Sequence, residues 1–271
     1  MSDKLRLTVL GTGSSGGVPR IGNDWGACDP TNPKNRRSRC GAVVERWNDA
    51  EPNVCTRILL DTSADMREQL LAAGIGETDA VLISHDHADQ VGGFDDLRVL
   101  AYRKMKRVPV YMDAATYGSM SRRFSYCFHG EHGYPPIVEL IGPLLVPGHQ
   151  VSITGAAGFI DVLPIGQHHG QIDSLGFRIG PVAYCNDLKN FKEGALELLR
   201  NLDVLVIDAL RYTEHPSHAH LEQSLAWIEE LEPRQAYLTN LHVDMDYDTL
   251  CAELPAHVRP AYDGLTIEVA L

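Results

Sequence analysis

The sequence lacks paired cysteines, long apolar runs and an excess of basic residues, which mark several common protein classes. Its six cysteines are scattered and form no CxxC pair, which argues against a zinc ribbon or a disulfide framework. No apolar run is long enough to span a membrane, and the N-terminal residues alternate polar and apolar instead of building a signal-peptide core. Lys and Arg total 24 against 36 Asp and Glu, a formal net charge of -12, which disfavours a nucleic-acid partner. We therefore expect a cytoplasmic protein with no membrane or nucleic-acid partner.

The composition is that of a globular protein. The chain has 271 residues, 44% of them hydrophobic and 22% charged, and no linker or change of composition divides it. We expect one domain over residues 1–271. Strands alternate with helical segments in two similar halves, and polar side chains collect at the strand ends. This pattern predicts an α/β fold, a sandwich of two β-sheets flanked by helices, with a site at one edge.

The strongest local signal is a metal-ligand pattern after an apolar strand. His85, His87 and Asp89 follow the run Val81–Ile83 at alternate positions. Alternate side chains of an extended chain point the same way, so two imidazoles and a carboxylate converge. Neutral imidazole nitrogen and anionic oxygen are ligands that a divalent metal prefers. We interpret this stretch as metal-binding.

Other strand ends offer partners for that site. His169 follows a strand and precedes Gly170, with His168 as the alternative. Asp187 ends another apolar strand, where it predicts a metal-bridging carboxylate. The alternative for Asp187 is the N-cap of a helix expected over Lys192–Asn201. Asn240 and His242 follow a later strand, and alternation predicts that they share a face.

Four more histidines are candidate substrate contacts. His218 and His220 lie at the entrance of a helix that Pro233 closes. His129 and His132 fall in an irregular, aromatic-rich segment, which predicts either a lid over the substrate or a loop packed on itself.

A glycine-rich segment, a basic segment and an acid at a strand end each allow two interpretations. The segment Gly11–Gly17 matches GxGxxG, but Gly and Pro rule out the helix that a dinucleotide site requires, so a pocket-lining turn or a structural turn remains. The basic segment Asn35–Arg39 predicts a solvated loop or a phosphate contact. Asp61, at a strand end, is expected to orient a metal-bound histidine or to cap the next helix.

Motifs along the chain resemble those of the metallo-β-lactamase-fold hydrolases. The chain is most similar to the phosphodiesterase branch that contains the carbon–phosphorus lyase accessory protein, from about Leu5 to the C-terminus. The resemblance implies an αββα sandwich of two mixed sheets and two divalent ions, manganese or zinc. It also implies hydrolysis of a small cyclic or nucleotide-like phosphodiester through a metal-bridging hydroxide; a homodimer remains open. The motifs are LTVLGTGSSGGVP, LLDTS, SHDHADQ, HHG, SLGF, YCND, HAHLEQSL, LTNLH and YDGLTIE.

The resemblance also implies roles for individual residues. His85, His87 and His169 would hold the first metal, and Asp89 the second. Asp187 would bridge the two ions. His218 would assist catalysis near the leaving group or a phosphoryl oxygen, beside Asp89 in the catalytic set.

The chain departs from the family pattern at the second metal. The last position of HxHxDH is Gln90, and the final metal histidine is Asn240, for which His242 is the expected substitute. Oxygen donors favour Mn²⁺ or Mg²⁺, so the second site is expected to be weak or tuned to a harder ion. A structural zinc of the accessory phosphodiesterase is not expected, because its late histidine is Val243 here and only Cys28 of its cysteines remains.

Two alternatives to a phosphodiesterase stay open from the sequence. One is a thioesterase of the glyoxalase type, which normally keeps the complete HxHxDH. The other is a non-catalytic protein that binds a metal or a nucleotide at a degenerate site. A tRNA-processing endonuclease also shares the helix-entrance histidine, but the net charge of -12 weighs against it.

Overall fold

Strands hold more residues than helices do in this structure, which is a computed structural model that describes residues 3–51 and 53–271. Many are short and apolar, as expected for strands buried between layers. The strands are β1 (Asp3–Gly11), β2 (Gly41–Asn48), β3 (Thr56–Leu60), β4 (Ala80–Leu82), β5 (Val108–Tyr111), β6 (Val138–Leu140), β7 (Val151–Gly155), β8 (Gly158–His169), β9 (Ile172–Ile179), β10 (Val182–Cys185), β11 (Asn190–Phe191), β12 (Val204–Asp208), β13 (Gln235–Thr239), β14 (Val258–Pro260) and β15 (Leu265–Ala270).

The helices are short and lie outside the strands. None of those in the described residues is long and apolar enough to cross a membrane. Short 3₁₀ turns cover Pro33–Asn35, Phe94–Asp96 and Leu196–Leu199. The α-helices are α1 (Met66–Ala72), α2 (Ala88–Val91), α3 (Leu97–Lys104), α4 (Ala114–Arg123), α5 (Ser125–His129), α6 (Leu221–Leu231) and α7 (Tyr247–Glu253).

The strands form two mixed sheets. The first runs in the order β15-β1-β2-β3-β4-β5-β6, antiparallel from β15 to β3 and parallel from β3 to β6. The second runs β11-β8-β9-β10-β12-β13-β14, with β7 paired to β8. The expected α/β sandwich of two mixed sheets flanked by helices is confirmed.

Apolar side chains fill three layers of the sandwich. Alternate residues of β1, such as Leu5 and Val9, face Phe177 and Val206 of the second sheet and are fully buried. Each such side chain contributes roughly 1.5–3 kcal/mol by leaving water. Helices α1, α3, α4 and α5 cover the outer face of the first sheet, and α6 and α7 cover that of the second. The amphipathic helix expected before Pro233 is therefore present as α6.

The parallel strands bring the polar strand ends to one edge. Strands β3 and β4 end before Asp61 and Ser84, and β10 and β13 end before Asp187 and Asn240. Strand β12 ends at Asp208. Parallel strands present their carboxyl ends on the same side, so these side chains meet. The helix expected over Lys192–Asn201 is wrong. Strand β11, the left-handed Gly194 and a 3₁₀ turn take its place, and Asp187 therefore caps no helix.

Candidate metal centre

Three histidines pack ring to ring at the edge of the sandwich. His85 and His87 follow strand β4, and His169 is the last residue of β8. Their ring centroids lie 4.7–5.0 Å apart, and His169 Nε2 lies 3.1 Å from His87 Nδ1. One ring nitrogen from each falls within 4.8 Å of the other two. We call His85, His87 and His169 the histidine cluster; its geometry suits a single bound cation.

Hydrogen bonds behind the rings fix which nitrogens face the centre. His169 Nδ1 donates to the backbone oxygen of Ser217 over 2.7 Å, which leaves Nε2 as a lone-pair donor. Asp61 accepts from the Ser84 hydroxyl at 2.8 Å, so the hydroxyl oxygen accepts from His85 Nδ1 at 3.0 Å. The buried His85 Nε2 then has no hydrogen-bond partner among the described residues. A buried nitrogen lone pair without a hydrogen-bond partner is suited to coordinate a divalent metal ion.

Two histidines of the cluster, His85 and His169, are held neutral, as a metal site requires. Burial lowers the pKa of His85 well below its ordinary value, and the neighbouring His169 and His87 lower it further. Burial and the nearby His218 lower the pKa of His169 to about 3. Neutral imidazoles can donate a lone pair without first losing a proton, so these shifts favour metal binding.

Two carboxylates predicted to ligate a metal lie beside the cluster. Asp187 has a left-handed backbone, with φ of 52°, and its Oδ1 lies 4.0 Å from His169 Nε2. Burial raises the pKa of Asp187 well above its ordinary value, and the charge of Asp89 raises it further. Asp89 itself is half-buried in the first turn of α2. Asp187 thus lies within reach of the cluster. Asp89 is close enough to Asp187 for its charge to raise the pKa of that residue.

His218 lies beside both Asp187 and the histidine cluster. Its Nδ1 donates to Asp208 Oδ2 over 2.8 Å, and its ring centroid lies 4.6 Å from that of His169. Burial lowers the pKa of His218, but the carboxylates of Asp208, Asp187 and Asp89 outweigh it and raise the value to about 9. Asn240 completes this group through its amide nitrogen, 3.1 Å from Asp187 Oδ1 and 3.3 Å from Asp208 Oδ2. We call Asp187, Asp208, His218 and Asn240 the acid–amide network.

The structure separates His242 from Asn240. Strand β13 ends at Thr239, and Asn240 has a left-handed backbone with φ of 62°, so alternation stops there. The shared face expected for the two residues is therefore wrong. His242 Nδ1 pairs with Asp244 at 2.7 Å, and its Nε2 lies 3.4 Å from Arg20. His242 is accordingly not among the ligands that we propose.

The remaining histidines differ in how far they enter the site. His168 is exposed and bonds to Asp173, so of the two neighbours His169 is the one in the cluster. His220 precedes α6 with a buried Nδ1 that has no partner in the described chain. His129 and His132 are exposed, and among the described residues neither bonds to the cluster; His132 lines a cavity of about 190 Å³ with Tyr134. Their part in substrate binding stays a prediction.

Several residues that matter were missed or misread in the sequence. Asp208 received no role, although an acid at a strand end was the signal that identified Asp187. Asp61 reaches His85 through Ser84, whereas the residue before α1 is Asp65, so the capping alternative for Asp61 is wrong.

Arg37 fits neither interpretation of the basic segment. It is 2% exposed and donates to the backbone oxygen of Met245 over 2.7 Å and to Asn35 Oδ1 over 3.2 Å. A further hydrogen bond reaches Cys28 Sγ at 3.7 Å, next to an apolar group that includes Val243. Arg37 thus cross-links two loops in the interior.

Comparison with known proteins gives several relatives. A family model for the beta-lactamase superfamily domain matches residues 56–240. A crystal structure of a new diphosphatase from the PhnP family is 34% identical, with a TM-score of 0.86 over 99% of this chain and 98% of that one. The metallo-beta-lactamase fold protein YhfI from Bacillus subtilis is 17% identical, with a TM-score of 0.72 over 98% of this chain and all of that one. That identity shows the fold alone.

One curated relative carries a different name. An octanoyltransferase from Porphyromonas gingivalis is 33% identical over 266 residues, which cover 96% of this chain and 51% of that protein. The chain therefore spans about half the length of this relative.

Proposed function

We propose that this chain, which belongs to the beta-lactamase superfamily and is a hydrolase of the metallo-β-lactamase fold, cleaves small phosphodiesters. One observation carries the proposal: His218, bonded to Asp208, lies 4.6 Å ring to ring from His169 of the histidine cluster. A metal and an imidazolium side by side match the charge of a phosphodiester, which is anionic, better than that of a neutral acyl ester. The diphosphatase at 34% identity supports the same class of substrate.

In this proposal His85, His87 and His169 hold a divalent ion, with Asp187 beside them. When bound there, the ion lowers the pKa of water and polarises a phosphoryl oxygen. Asp89 is the half-exposed carboxylate of the site, and it accepts a proton from the attacking water. His218 donates a proton to the leaving oxygen or stabilises the charge that develops on the phosphoryl group. Asp208 orients the His218 ring and stabilises its protonated form.

We further propose that the described residues act as one domain. The two sheets share one apolar layer, and both contribute side chains to the same edge. The substrate that this site accepts is a small phosphodiester or a nucleotide.

The proposal is tested with bis(p-nitrophenyl) phosphate and an acyl thioester as paired substrates. We expect Mn²⁺- or Zn²⁺-dependent cleavage of the phosphodiester and little cleavage of the thioester. His85→Ala should abolish the activity, because it removes a proposed ligand without changing the exposed surface. Thioester cleavage that exceeds phosphodiester cleavage would contradict the proposal.

A second candidate function is the hydrolysis or transfer of an acyl group. The relative named an octanoyltransferase favours it, although this chain matches only half of that protein. The same pair of substrates separates the two, and octanoyl thioester is the form to use. A protein that binds metal and turns over neither substrate would instead favour the non-catalytic alternative.

A further inference from the structure

We propose that this chain binds one divalent ion, at the histidine cluster, and that the amide of Asn240 occupies the place where a second ion would bind. The inference rests on the metal site of the proposed function and concerns its stoichiometry. Its evidence is which groups donate and which accept hydrogen bonds in the histidine cluster and in the acid–amide network.

The left-handed backbone of Asn240 turns its side chain into the interior. The residue is 2% exposed, and its amide nitrogen lies 3.1 Å from Asp187 Oδ1, 3.3 Å from Asp208 Oδ2 and 3.2 Å from His218 Nδ1. Two buried carboxylates fix the orientation of the amide, since its N–H groups must face them. The Asn240 amide therefore already occupies the position from which a cation would neutralise these acids.

The two acids are also bonded from other directions. Asp187 Oδ2 accepts from the Asn186 amide at 2.6 Å. Asp208 Oδ2 accepts from the Leu188 N–H at 2.9 Å as well as from His218. These bonds hold both acids in place, and a second ion at Asp187 Oδ1 would have to displace the Asn240 amide. A buried donor that loses its partner costs roughly 1–3 kcal/mol.

Spacing leaves few ligands for a second ion. Among the described residues, neither Asp89 nor Asp208 belongs to a group of three ligand atoms within 4.8 Å of one another. In the part of the chain that the structure describes, the one group beyond the cluster consists of His169, Asp187 and His218. It shares His169 with the cluster, and the His218 Nδ1 that lies 3.8 Å from Asp187 is the atom already bonded to Asp208.

Gln90 strengthens the same arrangement next to Asp89. It is 1% exposed, and its amide nitrogen lies 3.4 Å from Asp89 Oδ2. The two acids of the expected second site, Asp89 and Asp187, therefore each face an amide N–H group. Among the described residues His85 Nε2 faces no donor, and neither do the buried oxygens Asp208 Oδ1 and Gln90 Oε1. The inference concerns the space at Asp187, which the Asn240 amide fills.

The test counts metal ions in the intact protein. Wild type is purified without chelator, incubated with excess Mn²⁺ or Zn²⁺, desalted and measured by elemental analysis. We expect one equivalent per chain, none in His85→Ala, and an EPR spectrum of isolated Mn²⁺ ions. The double variant Gln90→His/Asn240→His replaces both amides by imidazoles and should bind a second equivalent. The control Asn48→His/Gln235→His adds two histidines at distant strand ends and should stay at one.

Two equivalents in wild type, or a spectrum of coupled Mn²⁺ ions, would overturn the inference. So would a folded Gln90→His/Asn240→His variant that still binds one equivalent. Two equivalents of metal together with phosphodiester cleavage would contradict the inference of one bound ion and would leave the proposed function intact. One equivalent without phosphodiester cleavage would support it and contradict the proposed substrate.

Discussion

The histidine cluster and the acid–amide network lie side by side at the same edge of the sandwich, yet their hydrogen bonds are opposite in kind. In the cluster, partners on the far side of the rings leave nitrogen lone pairs facing one another. In the network, carboxylates, an amide and an imidazole bond to one another, although Asp208 Oδ1 is buried without a partner among the described residues. His85 and His169 are buried as deeply as Asp187 and Asp208, whereas His87 is exposed. Between these four buried residues the polarity of the bonded groups, not depth, distinguishes a metal site from a proton-holding site.

The largest effect is expected from removing a ring of the cluster. His169→Ala should lower phosphodiesterase activity on the order of 10³-fold, because a metal contributes several kcal/mol to the transition state. His168→Ala is the matched control, since that neighbouring ring is exposed and bonds only to Asp173. Steady-state rates and bound metal are measured for both variants. Equal losses in the two would contradict the assignment of His169.

The network is tested by uncoupling His218 from its acid. Asp208→Asn should reduce kcat by about 10²-fold, the lower range for acid–base catalysis, while bound metal stays at the wild-type level. The control is Asp244→Asn, which breaks the Asp–His pair at His242 with a similar 2.7 Å distance outside the site. Loss of metal in Asp208→Asn would show that the two regions are not separable.

A smaller effect is expected from the support behind the cluster. Ser84→Ala removes the hydroxyl that links Asp61 to His85, and changes of this kind weaken metal binding roughly 10–100-fold. Ser152→Ala, on an exposed hydroxyl bonded to Asp161, should leave the affinity unchanged. Competition with a chromogenic chelator measures both. Unchanged affinity in Ser84→Ala would show that the ring of His85 is held by packing alone.

The smallest effect is expected far from both regions. Asp246 caps α7 through the N–H of Thr249 and accepts the N–H of Asp29, and Asp246→Ala should cost about 1 kcal/mol of unfolding free energy. Partial burial raises the pKa of Asp246, but those N–H groups outweigh it and hold the value at about 2. A lowered pKa stabilises the fold above the ordinary value of 3.8, and that contribution is lost as the pH falls toward 2.

Urea unfolding at several pH values checks this. The difference between wild type and Asp246→Ala should be full at pH 6 and should shrink below pH 4, with metal binding unchanged at pH 6. Glu229→Ala, an exposed acid of α6, should differ from wild type by less than about 0.5 kcal/mol at every pH. A pH-independent difference would contradict the capping role of Asp246.

Local periodicity was enough to predict part of this site. His85 and His87 alternate on an extended chain, and His169 ends a strand before a glycine that turns with φ of 62°. Such patterns involve residues that are close together in the chain, so they can be recognised from the sequence alone. The two-sheet fold is predictable for the same reason, because many of its strands are short apolar runs.

What the sequence did not predict depends on contacts between distant segments. The left-handed backbone of Asn240 separates it from His242, and no periodicity displays a single such residue. Asp208 meets His218 only after β12 and the start of α6 are packed. Arg37 looks solvated in a run of basic residues, yet loops from both ends of the chain bury it.

The difference between the two regions is tested most directly by crystals of the protein grown with Mn²⁺. An anomalous difference map at the manganese absorption edge locates the bound ions without reference to activity. We predict one peak, coordinated by His85, His87 and His169, with the Asn240 amide still bonded to Asp187. A second peak at Asp187, beside either Asp89 or Asp208, or a peak only outside the histidine cluster, would contradict the account.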